Sequence, residues 1–145
     1  MSIPTILVIE DNFSDVAILR LALDGLRYEY TLEVLGDGEA ALKYVADLRA
    51  GRSEPVPCVI LLDLHLPKYN GMEVLDAIRQ DPALLHVHVV VCTSIARPDE
   101  RNDIRERGAL LREKPSDLKG FSDLAEEIIE LCRQSPMGKA EASVA

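Results

Sequence analysis

The sequence predicts an α/β protein, a doubly wound parallel sheet of (βα)5 order with helices on both faces. Three observations carry that expectation. Five short apolar runs alternate with five longer segments of helical spacing. Two of the runs, Ile60-Leu61-Leu62 and Val89-Val90-Val91, are apolar at consecutive positions, as strands covered on both faces must be. Strict alternation then joins parallel neighbours by right-handed crossovers.

The elements follow in order. The run Thr5 to Ile9 is the first strand, and the helix after it covers Ser14 to Leu26, with Asp11 or Ser14 available as its cap. Tyr30 to Leu35 is the second strand, and the turn Gly36-Asp37-Gly38 leads into a helix from Asp37 to Ala50. Val56 to Leu62, the third strand, ends at Asp63, and a turn containing Pro67, Asn70 and Gly71 opens a helix to Gln80. The fourth, Val87 to Cys92, passes through Thr93-Ser94 to a helix from Pro98 to Arg107, Pro98 suiting its first turn. The fifth and weakest, Ala109 to Arg112, precedes Lys114 and a helix from Gly120 to Gln134. In that last helix Phe121, Leu124, Ala125, Ile128, Leu131 and Cys132 form one stripe facing a core. Gly25, Gly51 and Gly108 stand where left-handed helix caps are expected.

The chain has 145 residues and suits one domain, expected over 1–134, with a frayed tail over 135–145 and no output domain. Its net charge is −9, yet 48% of its residues are apolar, which argues against disorder. An acidic surface disfavours nucleic acid and anionic membranes as partners but not a divalent cation. Met1-Ser2-Ile3-Pro4 lacks the features of a secretory signal, and the run Cys58 to Leu62 is too short to span a bilayer. A cytoplasmic location is therefore expected. Cys58, Cys92 and Cys132 are widely separated and form no C-x-x-C pair. They are expected to be core thiols, with neither a disulfide nor a zinc site.

Ligands of such sheets bind beyond the carboxyl ends of the strands. There stand Glu10 and Asp11, then Asp63, then Thr93 and Ser94, then Lys114. Taken singly, each has a plainer role, as a helix cap, a turn former, a local hydroxyl turn or a solvated charge. Together they place three carboxylates, a hydroxyl and an ammonium at one edge. Clustered carboxylates raise one another's pKa unless a cation holds them, and an all-oxygen set suits Mg2+. Lys114 and Thr93 then supply a charge and a donor for an anion beside the metal, which describes a place for a phosphoryl group.

Four motifs, Glu10-Asp11-Asn12, the run Leu61 to Gly71, Val91-Cys92-Thr93-Ser94 and Lys114-Pro115, together resemble the receiver domain of two-component response regulators. Asp37 to Leu42, the 49–57 loop and Ile78 to Pro82 further resemble single-domain receivers associated with phytochrome kinases. The resemblance implies a flavodoxin-like three-layer sandwich with sheet order 2-1-3-4-5. It implies that Asp63 accepts a phosphoryl group from a sensor histidine kinase or a small donor such as acetyl phosphate. Glu10, Asp11 and Asp63, with the backbone carbonyl of His65, would hold Mg2+, and Thr93 and Lys114 would bind the phosphoryl oxygens. Such a protein relays its signal by contacts with a downstream protein and is not a dedicated enzyme.

Some positions depart from the family. Its switch couples the threonine to an aromatic residue three before the lysine, and here that residue is Leu111. The positions two beyond Asp63 and Thr93, which tune phosphoryl lifetime in this family, are His65 and Ile95. In the Arg97 to Arg107 helix region, Arg97, Arg101 and Arg105 form one row and Asp99, Asp103 and Glu106 another. That pattern fits a solvated face or a two-fold homodimer contact between basic and acidic rows. Two other readings of the whole stay open: an interaction module of receiver fold that works without phosphorylation, and a Mg2+-dependent phosphatase with an aspartate nucleophile. Against the latter, the D-x-D motif of those enzymes has His65 in its third place.

Overall fold

The computed structural model describes residues 3–51, 55–94 and 96–135. The strands are β1 (Thr5–Ile9), β2 (Thr31–Leu35), β3 (Val59–Asp63), β4 (His88–Thr93) and β5 (Leu110–Glu113). Between and after them run α1 (Phe13–Asp24), α2 (Gly38–Arg49), α3 (Gly71–Gln80), α4 (Pro98–Glu106) and α5 (Leu118–Gln134), with a 3-10 turn at Pro82–Leu84. The sheet is parallel throughout, in the order β2-β1-β3-β4-β5. Fold class and strand order are those expected from the sequence.

The consecutive apolar runs are explained by two cores. Along each central strand, alternate side chains enter opposite layers. Leu7, Ile9, Ile60, Leu62, Val89 and Val91 pack with α2 and α3 on one face. Ile6, Val8, Val59, Leu61, Val90 and Cys92 pack with α1 and α5 on the other. Helix α4 is the lean element, for it buries only Ile104. Its carboxyl end is tied down by polar contacts. The Arg79 guanidinium donates to the carbonyls of Arg107 (2.8 Å) and Gly108 (3.3 Å), and Arg107 pairs with Asp76.

Several local expectations are corrected. Asn12 caps α1, its side chain accepting from the amides of Ser14 (3.0 Å) and Asp15 (3.2 Å), so neither Asp11 nor Ser14 does so. Gly51 and Gly108 have the left-handed backbone expected, φ +74° and +69°, but Gly25 is right-handed at −68°. The left-handed residue in that connection is Arg27. β3 begins at Val59 rather than Val56, and α5 begins at Leu118 because Asp117 caps it through the Gly120 amide at 2.7 Å.

The cysteine expectation fails in part. Cys58, before β3, and Cys132, near the end of α5, are joined as a disulfide although 74 residues apart in sequence. Both sit in the core under α1 and α5, which brings their Cα atoms to 5.0 Å, within bridging range. Cys92 is a buried free thiol, as expected. Residues 52–54 of the 49–57 loop, Ile95 and the 136–145 part of the tail lie outside the described residues. Among the described residues, no helix is long and apolar enough to cross a membrane.

Candidate functional site

Parallel register delivers the site. Ile9 pairs with Leu62, Asp63 with Cys92, and Thr93 with Glu113. The residues at and just beyond those positions therefore line up at one edge of the sheet. Glu10 is buried, its amide donating to the Leu35 carbonyl at 2.9 Å and its carboxylate accepting from the Asn12 amide at 3.2 Å. Asp63, also buried, accepts from the His65 amide at 3.1 Å. The Lys114 amide donates to the Thr93 carbonyl at 2.9 Å, which fixes where the lysine leaves the sheet.

The side chains converge in turn. The Lys114 ammonium lies 2.6 Å from Glu10, 2.9 Å from Asp15 and 3.6 Å from Asp63. Burial pushes the Glu10 carboxyl up to about 7, outweighing the Lys114 ammonium, and the neighbouring Asp63 adds to the rise. Burial by itself would lower the Lys114 pKa. Hydrogen bonds to Glu10 and Asp15 and the charge of Asp63 outweigh it and hold the amine above the ordinary lysine range. Carboxylate oxygens of Glu10, Asp11 and Asp63 lie within 4.8 Å of one another. An all-oxygen set of this density fits a hard divalent cation, which would also favour the charged form of Glu10.

Glu10, Asp11, Asp63 and Lys114 are thus brought together. Thr93 is buried at the end of β4 but lines a neighbouring groove with Ser94, Ala96, Arg101 and Leu111. The cavity beneath the carboxylates is lined instead by Glu10, Asp15, Asp63 and Lys114 together with core side chains that include Val16, Leu19, Phe121 and Leu124. Leu111 is partly buried against the α2–α3 core. Asp15 is the site residue that sequence reasoning missed. Its one signal was a place four residues after Asp11, one turn into α1, where an acidic residue also reads as a complement to the helix dipole.

The loop after Asp63, which carries His65, is fastened at both ends. Gly71 packs so tightly that a Cβ there would lie 2.6 Å from the Leu64 Cα, and its amide donates to the Leu64 carbonyl at 2.8 Å. The Gly38 amide donates to the Pro67 carbonyl at 3.1 Å. Lys68, at φ +70°, reaches Glu39 (2.9 Å) and Asp37 (3.6 Å). The start of α2 thereby braces the segment beside the carboxylates.

Residues 6–118 match the model of the response regulator receiver domain. Response regulator Rcp1 of Synechocystis sp. is 37% identical over 95 residues, 66% of this chain and 65% of its own. The chain thus spans less than two thirds of that relative's length. The crystal structure of the Mn2+-bound form of response regulator Rcp1 is 32% identical, covering 86% of this chain and 91% of that one with a TM-score of 0.76. The structure of the phosphorylated cyanobacterial phytochrome response regulator RcpA is 28% identical, covering 89% and 93% with a TM-score of 0.79.

Proposed function

Because this chain belongs to the response regulator receiver domain family, we propose that it works as a phosphorylation-dependent relay with Asp63 as the phosphoacceptor. Glu10, Asp11 and Asp63, with the backbone carbonyl of His65, hold Mg2+. When bound, the ion neutralises charge among the carboxylates and on the incoming phosphoryl oxygens. Lys114 and Thr93 engage those oxygens. A carboxylate oxygen of Asp63 forms a bond to phosphorus as the donor's bond to phosphorus breaks, and that electron pair leaves with the donor. With acetyl phosphate the leaving group is acetate. Catalysis of this kind is positioning and charge neutralisation.

The physiological donor is a sensor histidine kinase. Likeness to the phosphorylated cyanobacterial phytochrome response regulator RcpA supports a phytochrome-type kinase. The signal passes on through protein contacts in the cytoplasm. The receiver occupies 1–134. Helix α4 supports self-association, being exposed along most of its length with Ile104 as its one buried residue. Arg97 is partly used within its own helix, 3.4 Å from Glu100 and 3.6 Å from Asp99.

One observation carries the reading: the Asp63 carboxylate shares a cluster of oxygens within 4.8 Å with Glu10 and Asp11, and Lys114 lies 3.6 Å from it. The test is mass spectrometry after incubation with Mg2+ and acetyl phosphate, beside an Asp63→Asn control. An adduct on the native chain that disappears in the control is expected. No adduct from any donor, cognate kinases included, would favour the interaction-module reading, and an adduct that persists in the control would discredit Asp63.

A further inference from the structure

We propose that Asp15 is a positioning residue that holds the Lys114 ammonium away from Asp63 and so restrains phosphoryl acceptance. The inference rests on Asp63 being the phosphoacceptor. Lys114 lies closer to Glu10 (2.6 Å) and Asp15 (2.9 Å) than to Asp63 (3.6 Å). The two carboxylates nearest the ammonium differ in kind. Glu10 belongs to the oxygen cluster that fits a cation, and Asp15 does not. A cation drawn to Glu10, Asp11 and Asp63 competes for the Glu10 oxygens and leaves the Asp15 pairing with Lys114 intact.

Asp15 is well placed to keep that hold. Its amide is anchored by the Asn12 side chain, and Val16 beside it is buried in the core shared with α5. Lys114 is fixed at its own backbone by Thr93. The ion pair is only about one-fifth exposed at either side chain, 18% and 21%, so salt and water screen it less than a surface pair. When the Asp63 oxygen bonds to phosphorus and the acetate leaves with its electron pair, charge collects on the non-bridging oxygens. The bond to Asp15 draws the ammonium toward α1, so Lys114 meets that charge more fully as this bond loosens. The Asp15 charge also repels the incoming anion directly, so both effects act in one direction.

The experiment compares the native chain with Asp15→Asn, which keeps the shape and removes the charge, and with Asp15→Glu, which restores the charge. Initial rates of Asp63 adduct formation are measured by mass spectrometry with acetyl phosphate at saturating Mg2+. In metal-free protein, reductive methylation of Lys114 is followed by peptide mass spectrometry. Asp15→Asn should form the adduct about three- to tenfold faster, an effect of the size expected for one partly screened charge, and its Lys114 should methylate faster. Asp15→Glu should move both rates back toward the native values. An adduct on Asp63 whose rate is unchanged or lower in Asp15→Asn would overturn this inference and leave the phosphoacceptor reading standing, as would an unchanged methylation rate at Lys114. No adduct on native Asp63 would overturn both. Thermal melts by circular dichroism check that the variants are folded, and Asp15→Ser replaces Asp15→Asn if that variant is not.

Discussion

Cys92 sits one residue before Thr93, pairs across the sheet with Asp63, and is 5% exposed. Burial is the main reason its thiol is pushed up to about 12; Lys114 offsets this in part, while Asp63, Glu10 and Asp15 add to it. A raised pKa keeps the reactive thiolate scarce at every pH below that value. Native protein at pH 8 should therefore give no fast reaction with a thiol-specific disulfide reagent. Unfolding without reductant should expose one thiol per chain, because the other two cysteines are bonded, and unfolding after reduction should expose all three. Fast labelling of Cys92 in folded protein would contradict its placement. The same burial acts on Glu10, whose carboxyl is raised to about 7; one low-polarity environment shapes both groups.

At the scale of elements, the loop between β3 and α3 is held by backbone contact more than by side chains. Gly71→Ala would place a methyl group 2.6 Å from the Leu64 Cα and 2.7 Å from the Asp63 carbonyl oxygen, so backbone must move. We expect a loss of about 1–3 kcal/mol in chemical denaturation. Mg2+ affinity measured by calorimetry should weaken by about tenfold, since the loop carries the His65 carbonyl. Helix α4 poses a different question, being held by one buried residue and by the Arg79 and Arg107 contacts at its carboxyl end. If its charged rows make a two-fold contact, sedimentation at low ionic strength should show a dimer that dissociates as salt is added. A monomer at all salt concentrations, with and without a phosphoryl analogue, would leave the rows as a solvated face.

The whole molecule is two apolar layers around one sheet, and the Cys58–Cys132 bond ties the start of β3 to the end of α5 within one of them. A crosslink spanning 74 residues removes much freedom from the unfolded chain. Reduction, or replacement of both cysteines by alanine, should lower stability by about 2–4 kcal/mol. Urea unfolding with and without reductant measures this, and identical midpoints would show that the bond contributes nothing. Such bonds are scarce where thiols are kept reduced, and in such a compartment the chain folds without this contribution.

Sequence by itself determined the (βα)5 order, the five strands to within about three residues, and the residues at four strand ends where the chemistry gathers. These are local signals: apolar period, turn chemistry and a polar residue straight after a buried run. Glu10, Asp11, Asp63 and Lys114 were legible because parallel register carries strand ends to one edge, whatever the details of packing. Tertiary structure alone decided the rest. It added Asp15 to the partners of Lys114, since Asp15 reaches the ammonium only once α1 is laid beside α5 on one face of the sheet. It set Thr93 among the residues lining the groove beside Leu111. It also joined Cys58 to Cys132, because nearness in space between residues 74 apart depends on how helices dock and leaves no periodicity in the chain to read.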